Sequence, residues 1–152
     1  MSAVTELVVF RLDELRIALR LTAVERVVRA VQVTRLPQAP EIVLGVINLK
    51  GRAIPIVDFR GRFHLGRREP RITDQIIIAR TEKRPVGLIV DAVEGTLSVS
   101  EEAIAPAQTV MPGIRQIDGV VPLPDGLLFI HDLDKFLSID EERELDAALA
   151  EG

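Results

Sequence analysis

Gly45-Val46-Ile47-Asn48-Leu49-Lys50-Gly51-Arg52-Ala53-Ile54-Pro55-Ile56-Val57-Asp58-Phe59-Arg60 is the stretch that decides the fold class. Two apolar runs flank Lys50-Gly51, which is the chemistry of a tight β-hairpin, because glycine accepts the positive φ such turns require. Pro55 has no N–H to give to a ladder, so it predicts an edge or a bulge at that position. Asp58 ends the second run and precedes Phe59-Arg60, where a carboxylate would cap a helical turn.

Runs of the same kind recur outward from this hairpin. Residues 7–12, 16–21, 45–49, 53–57, 76–79, 86–90, 117–123 and 127–131 cluster or alternate like short strands. Asp13-Glu14, Lys50-Gly51, residues 82–85 and Pro124-Asp125-Gly126 supply the turns between them. Many short strands at this spacing predict an all-β sandwich or barrel.

The runs also repeat. A shift of 69 positions carries Val8-Val9 onto Ile77-Ile78 (77 − 8 = 69), Ile17-Ala18-Leu19 onto Val86-Gly87-Leu88 and Ala23-Val24-Glu25 onto Ala92-Val93-Glu94. It also pairs Thr22 with Asp91, both good helix N-caps. Gly45-Val46-Ile47 matches Gly119-Val120-Val121 at a shift of 74 (119 − 45), and Asp58 falls on Asp132 at that same shift. Ordered matches that include glycines and polar caps predict an internal duplication, with copies over about residues 7–68 and 76–137. Each copy should hold a hairpin, a short capped helical turn and a second hairpin ending at an Asp.

The 152 residues suffice for one domain or two small sub-domains, with an aliphatic core: hydrophobic residues make up 47% and aromatics 3%. The absence of cysteine excludes disulfides and thiolate metal sites. A net charge of −4 argues against nucleic acid as the main partner, and the basic stretch from Arg60 to Arg68 reads as a solvated loop face. No signal peptide is recognisable and no apolar run approaches the ~20 residues of a membrane span, so a cytoplasmic protein without membrane insertion is expected.

Catalytic readings find little support in these residues. His64 falls in a polar loop and His131 in the last strand, and no metal-ligand spacing is present. Ser98, Ser100 and Ser138 lie in turn-like or cap-like contexts, with Ser100 and Ser138 reading as helix starts. The symmetric Asp58 and Asp132 would be the carboxylate pair of an enzyme reading, but capping explains both. No glycine-rich phosphate loop follows a strand, so no cofactor is expected.

The hairpin segment closely resembles the hallmark of the CheW family, G-V-I-N-L-R-G-x-x-x-P-V-I-D-L-R. Thr34-Arg35-Leu36-Pro37-Gln38-Ala39-Pro40 resembles its T-x-L-P-x-x-P approach, and Val86-Gly87-Leu88-Ile89-Val90-Asp91-Ala92-Val93 resembles its V-G-L-V-V-D-x-V stretch. The likeness covers about residues 5–139, so those form a CheW-like domain, and residues 138–152 a C-terminal tail. It implies an all-β fold of two SH3-like, five-stranded β-barrels related by a pseudo-two-fold duplication, with short helices. It implies a scaffold that joins the regulatory domain of the histidine kinase CheA to the cytoplasmic tip of a chemoreceptor (methyl-accepting chemotaxis protein), and that is a monomer when isolated. The alternative within the class is a divergent adaptor of a non-chemotaxis chemosensory pathway.

The resemblance places receptor contacts in a groove formed by two motifs. These fall on Val24, Arg26 and Val27, and on Gly45, Asn48 and Lys50; it identifies no kinase-binding residue. Here the chain departs from the pattern. The family's Arg is Lys50, its Glu falls at Arg26, and two charges that attract in the family are both positive. Thr22 and Glu25 instead fit a T-x-x-E capping box. Over residues 138–149 a capped amphipathic helix is expected, with Leu145, Ala148 and Leu149 on the face that packs against the barrels.

Overall fold

The computed structural model describes residues 3–29, 32–63, 65–66, 68–106, 117–135, 137 and 139–151. His64, Arg67 and Ser138 lie outside the described residues. The chain divides into two compact units. Unit one combines Met1–Val24 with Asp91–Phe136, and unit two combines Glu25–Val90 with Leu137–Gly152.

Unit one holds β1 (Val4–Leu12), β2 (Leu15–Arg20), β8 (Ala92–Ser100), β9 (Ala105–Pro106), β10 (Ile117–Leu123) and β11 (Gly126–His131), in the sheet order β8-β1-β2-β11-β10-β9. Its core gathers Leu7, Val9, Ala18, Val121, Leu128 and Ile130. Unit two holds β3 (Val24–Arg29), β4 (Val43–Leu49), β5 (Arg52–Val57), β6 (Gln75–Arg80) and β7 (Pro85–Val90), in the order β3-β6-β7-β5-β4. Six isoleucines, Ile47, Ile54, Ile56, Ile76, Ile78 and Ile89, form its core. β-Branched side chains at alternate positions suit a pleated surface buried on one face.

The duplication is preserved residue by residue in the registers. Leu7 faces Arg20 and Val8 faces Leu19 in β1–β2; 69 positions on, Ile76 faces Ile89 and Ile77 faces Leu88 in β6–β7. Val43 faces Val57 and Gly45 faces Ile56 in β4–β5, each hairpin carrying a register shift at the glycine; 74 positions on, Ile117 faces His131 and Gly119 faces Ile130. Both parallel pairs also correspond, Ile130 beside Ala18 and Ile56 beside Gly87. The compact units interleave the two copies. Unit one takes the β1–β2 hairpin from the first copy and β10–β11 from the second, while unit two takes β4–β5 from the first and β6–β7 from the second.

The sheets differ by one short strand. In unit one β9 pairs with β10 through Ala105–Val120 and Pro106–Gly119, whereas the counterpart in unit two is a single bridge between Thr34 and Val46. Each contact brings a glycine close against a neighbour. A Cβ on Gly45 would lie 2.2 Å from the Thr34 carbonyl oxygen, and one on Gly119 would lie 2.5 Å from Ile104 Cγ2.

Pro55 departs from its expected place. It lies on β5, between β7 and β4 in the sheet, and at a regular pair with Val46. No N–H is needed there. Val46 exchanges both of its backbone hydrogen bonds with Thr34 (2.9 and 2.8 Å), and the pairing with β7 begins one residue later at Ile56.

The expected caps at Thr22 and Asp91 do not form. Residues Leu21–Ala23 make only one 3-10 turn, entered from Arg20 without a side-chain cap, and the chain then runs directly into β3. A single turn has no third helical amide for Thr22 to receive, so the Thr22–Glu25 capping box has nothing to cap. Asp91 precedes a strand, and its carboxylate accepts the Asp13 amide at 2.8 Å, bracing the β1–β2 turn. Ser100 does precede the 3-10 turn Glu101–Ala103, though without a side-chain hydrogen bond.

The C-terminal helix α1 spans Ile139–Glu151 within unit two. Leu145 and Ala148 are buried and Leu149 is half-buried, as their spacing predicts. Its polar side meets the β6–β7 turn, where Arg84 pairs with Glu142 (3.4 Å) and with Asp146.

Candidate functional site

The β4–β5 hairpin turns on Lys50 (φ +53°) and Gly51 (φ +84°), two consecutive left-handed residues that match the right-handed twist of the strands. Asn48 Oδ1 accepts the Gly51 amide at 2.9 Å and ties the turn to the strand below it. Leu49 points inward onto the isoleucine core, leaving Asn48 and Lys50 exposed at the tip. Gly45 is buried, and its part is to admit the Thr34 backbone rather than to present a side chain.

β3 supplies the other motif. Strand alternation places Glu25, Val27 and Arg29 on one side, and Val24, Arg26 and Val28 on the other. Val28 packs against the isoleucine core, Val24 is half-buried, and Arg26 and Val27 are exposed. The two motifs are joined by a contact that reading the sequence missed. Arg52, two residues after Lys50, lies 3.3 Å from one Glu25 oxygen, and Arg80 at the end of β6 lies 3.8 Å from the other. The signal was Glu25 itself, whose carboxylate serves these arginines instead of a helix start. Arg26 and Lys50 form no ion pair among the described residues. Of the six expected positions, Arg26, Val27, Gly45, Asn48 and Lys50 belong to unit two, and Val24 closes the first segment of unit one.

The two ends of the basic stretch, Arg60 and Arg68, are not left to solvent. Arg60 is buried and lies 3.3 Å from Asp58, while Arg68 grips the buried Asp74 with both terminal nitrogens at 2.7 and 2.9 Å. Each arginine has a carboxylate within reach, and pairing is what allows it inside. Asp74 also accepts the Arg71 amide at 2.8 Å. Burial pushes its carboxyl up, yet the Arg68 and Arg71 hydrogen bonds and the charges of Arg68 and Arg60 outweigh this and hold it below the ordinary value.

Asp58 and Asp132 each act locally. Asp58 Oδ1 accepts the Arg60 amide at 2.9 Å at the start of the 3-10 turn Phe59–Phe63, and Asp132 Oδ1 accepts the Asp134 amide at 3.1 Å before the turn Leu133–Lys135. His131 is buried in β11. Among the described residues no group of three or more His, Cys, Asp or Glu side chains is placed to hold a metal ion, and no helix is long and apolar enough to cross a membrane.

Comparison with known proteins agrees with this geometry. The model of the CheW-like domain matches residues 6–141. A chemotaxis protein CheW of Rhizobium meliloti is 36% identical over 141 residues, covering 91% of this chain and 90% of that protein. One from Thermotoga maritima is 30% identical over 132 residues, with 87% of each covered. The crystal structure of the scaffolding protein TtCheW from Thermoanaerobacter tengcongensis superposes with a TM-score of 0.80 at 31% identity, covering 93% of this chain and 96% of that one. The all-β fold of two SH3-like units, the duplicated registers and the match through both motifs converge: the chain belongs to the CheW-like domain family.

Proposed function

We propose that this chain is a non-catalytic scaffold of a bacterial chemosensory array, coupling the cytoplasmic tip of a chemoreceptor to the regulatory domain of a CheA-type histidine kinase. The observation that carries the reading is the continuous match over residues 6–141, together with the structural likeness to a scaffolding protein over 93% of the chain. The hairpin and β3 support a receptor-reading role. Asn48 and Lys50 stand exposed on a braced turn, and the Glu25–Arg52 pair joins that turn to the strand bearing Arg26 and Val27. A braced surface loses little entropy on binding. The local caps at Asp58 and Asp132 favour an adaptor over a carboxylate enzyme. The protein acts in the cytoplasm and enters the array as a monomer.

Co-precipitation of the purified full chain with a kinase regulatory domain and with a receptor-tip fragment tests the proposal. Binding to both is expected. A folded sample that binds neither would remove the scaffold reading.

A further inference from the structure

Within unit two, a cavity of about 580 Å³ is lined by the approach to β4, the 3-10 turn after β5, the segment 68–70 and the first turn of α1. Pockets that take small molecules run to roughly 300–1,000 Å³. Ile42 and Leu44, both half-buried, and the exposed Pro70 give it an apolar wall. The charged groups around it are unequal. Arg60, only 2% exposed, is matched by Asp58 at 3.3 Å, and Arg68 by Asp74 at 2.7 Å. Glu41, Glu69 and Glu141 line the cavity as well, so its described lining sets two guanidiniums against four carboxylates, a formal −2 (2 − 4). Glu69 is exposed and enters no ion pair among the described residues.

An anion entering this cavity meets guanidiniums that are already engaged and an excess of like charge, whereas a cation gains from that excess. An apolar body on the same molecule gains by displacing water from Ile42, Leu44 and Pro70. We propose that the cavity binds a small organic cation, an ammonium or guanidinium group on a short aliphatic body, with Glu69 drawing the charge and Ile42 and Leu44 receiving the body. A bare metal ion fits less well, because no group of three or more His, Cys, Asp or Glu side chains among the described residues is placed to hold one. The walls are set before a ligand arrives. Asp74 grips Arg68 and the Arg71 amide beside segment 68–70, and Asp58 caps the turn that carries Arg60, so binding orders little. The proposal is independent of the scaffold reading, and the hairpin tip and β3 take no part in it.

Amide NMR titrations of the labelled full chain with hexylamine and with hexanoate, at fixed pH and ionic strength, test this, since the two probes share a carbon chain and differ in the sign of their charge. Hexylamine should shift the amides of Ile42, Leu44, Gly61 and Glu69 along one saturable curve, with a Kd on the order of 1 mM for so small a probe. Hexanoate should bind about tenfold more weakly or not at all. Glu69→Lys should weaken hexylamine binding by about tenfold and Glu69→Gln by about threefold, the dispersion of the spectra confirming that each variant is folded. Hexylamine shifts that stay linear to about 20 mM, well beyond the expected Kd, overturn the proposal. Equal or tighter binding of hexanoate overturns it too, as does hexylamine binding that both substitutions at Glu69 leave within twofold. None of these outcomes bears on the scaffold reading, which the co-precipitation above tests separately.

Discussion

The side-chain oxygen of Asn48 accepts the amide of Gly51 at 2.9 Å, closing the tip of the β4–β5 hairpin from within its own motif. Asn48 is therefore a brace as well as an exposed residue of the candidate interface. Asn48→Ala is expected to cost about 1 kcal/mol, and Gly51→Ala a similar amount because φ there is +84°. For a chain of this length each corresponds to a fall of about 2–4 °C in Tm. Thermal unfolding followed by circular dichroism checks both. A receptor affinity that drops for Gly51→Ala, which leaves the Asn48 side chain in place, would show that the geometry of the turn is itself read.

Gly45 and Gly119 occupy matching register shifts, but a methyl group at each meets a different obstacle. At Gly45 it lands on the Thr34 backbone at 2.2 Å, and at Gly119 on a side-chain methyl of Ile104 at 2.5 Å. Backbone held in a bridge cannot yield, whereas an isoleucine can change rotamer. Gly45→Ala should therefore destabilise by about 3 kcal/mol or more, and Gly119→Ala by about 1 kcal/mol. Urea denaturation of the two variants compares them directly, and equal losses would contradict the asymmetry.

The hairpins were legible because each buries one face and carries its own turn. Ile47, Ile54 and Ile56 face a core across Lys50-Gly51, and Val121, Leu128 and Ile130 do so across Pro124-Asp125. β3 and β8 were not legible. In Val24–Arg29 three consecutive residues are exposed, so no alternation shows, and in Ala92–Ser100 Gly95 at φ +129° interrupts the pattern. Thr22 and Glu25 then imitated a capping box on a segment whose next element is an edge strand. The duplication could be read by sliding the chain, but its interleaving could not. Which hairpin pairs with which is decided by the parallel contacts of β2 with β11 and β5 with β7, and nothing local encodes them. The candidate site was legible as two motifs, while the Glu25–Arg52–Arg80 cluster joining them depends on side chains 27 and 28 positions apart (52 − 25 = 27, 80 − 52 = 28).

Asp74 gives the fold an acid limit. Its folded carboxyl binds a proton only below its ordinary value of 3.8, while the unfolded chain takes one up near that value. The stability it contributes is complete above about pH 4 and is lost as pH falls through the folded value. Asp74→Asn should lower stability by about 3 kcal/mol at neutral pH, since it leaves Arg68 without its carboxylate. It should also flatten the acid limb of a stability–pH profile. An unchanged limb would show that other carboxylates dominate it.

Helix α1 is part of unit two through Leu145, which is fully buried, and through Arg84, which meets Glu142 and Asp146 one turn apart. Leu145→Ala should cost about 3 kcal/mol and Arg84→Ala about 1 kcal/mol. Hydrogen exchange should show faster exchange of the helix amides in both variants. Exchange unchanged in Leu145→Ala would mean that the helix is held by something other than this face.

The central claim is that one chain holds a receptor and a kinase together. Co-sedimentation of a kinase regulatory domain with receptor-tip fragments, with and without the full chain, measures this most directly. The account predicts that the kinase domain sediments with the receptor fragment when wild-type chain is present, that far less does so with Lys50→Glu, and that Arg71→Glu behaves as wild type. Equal sedimentation of the kinase domain with and without the chain would contradict it.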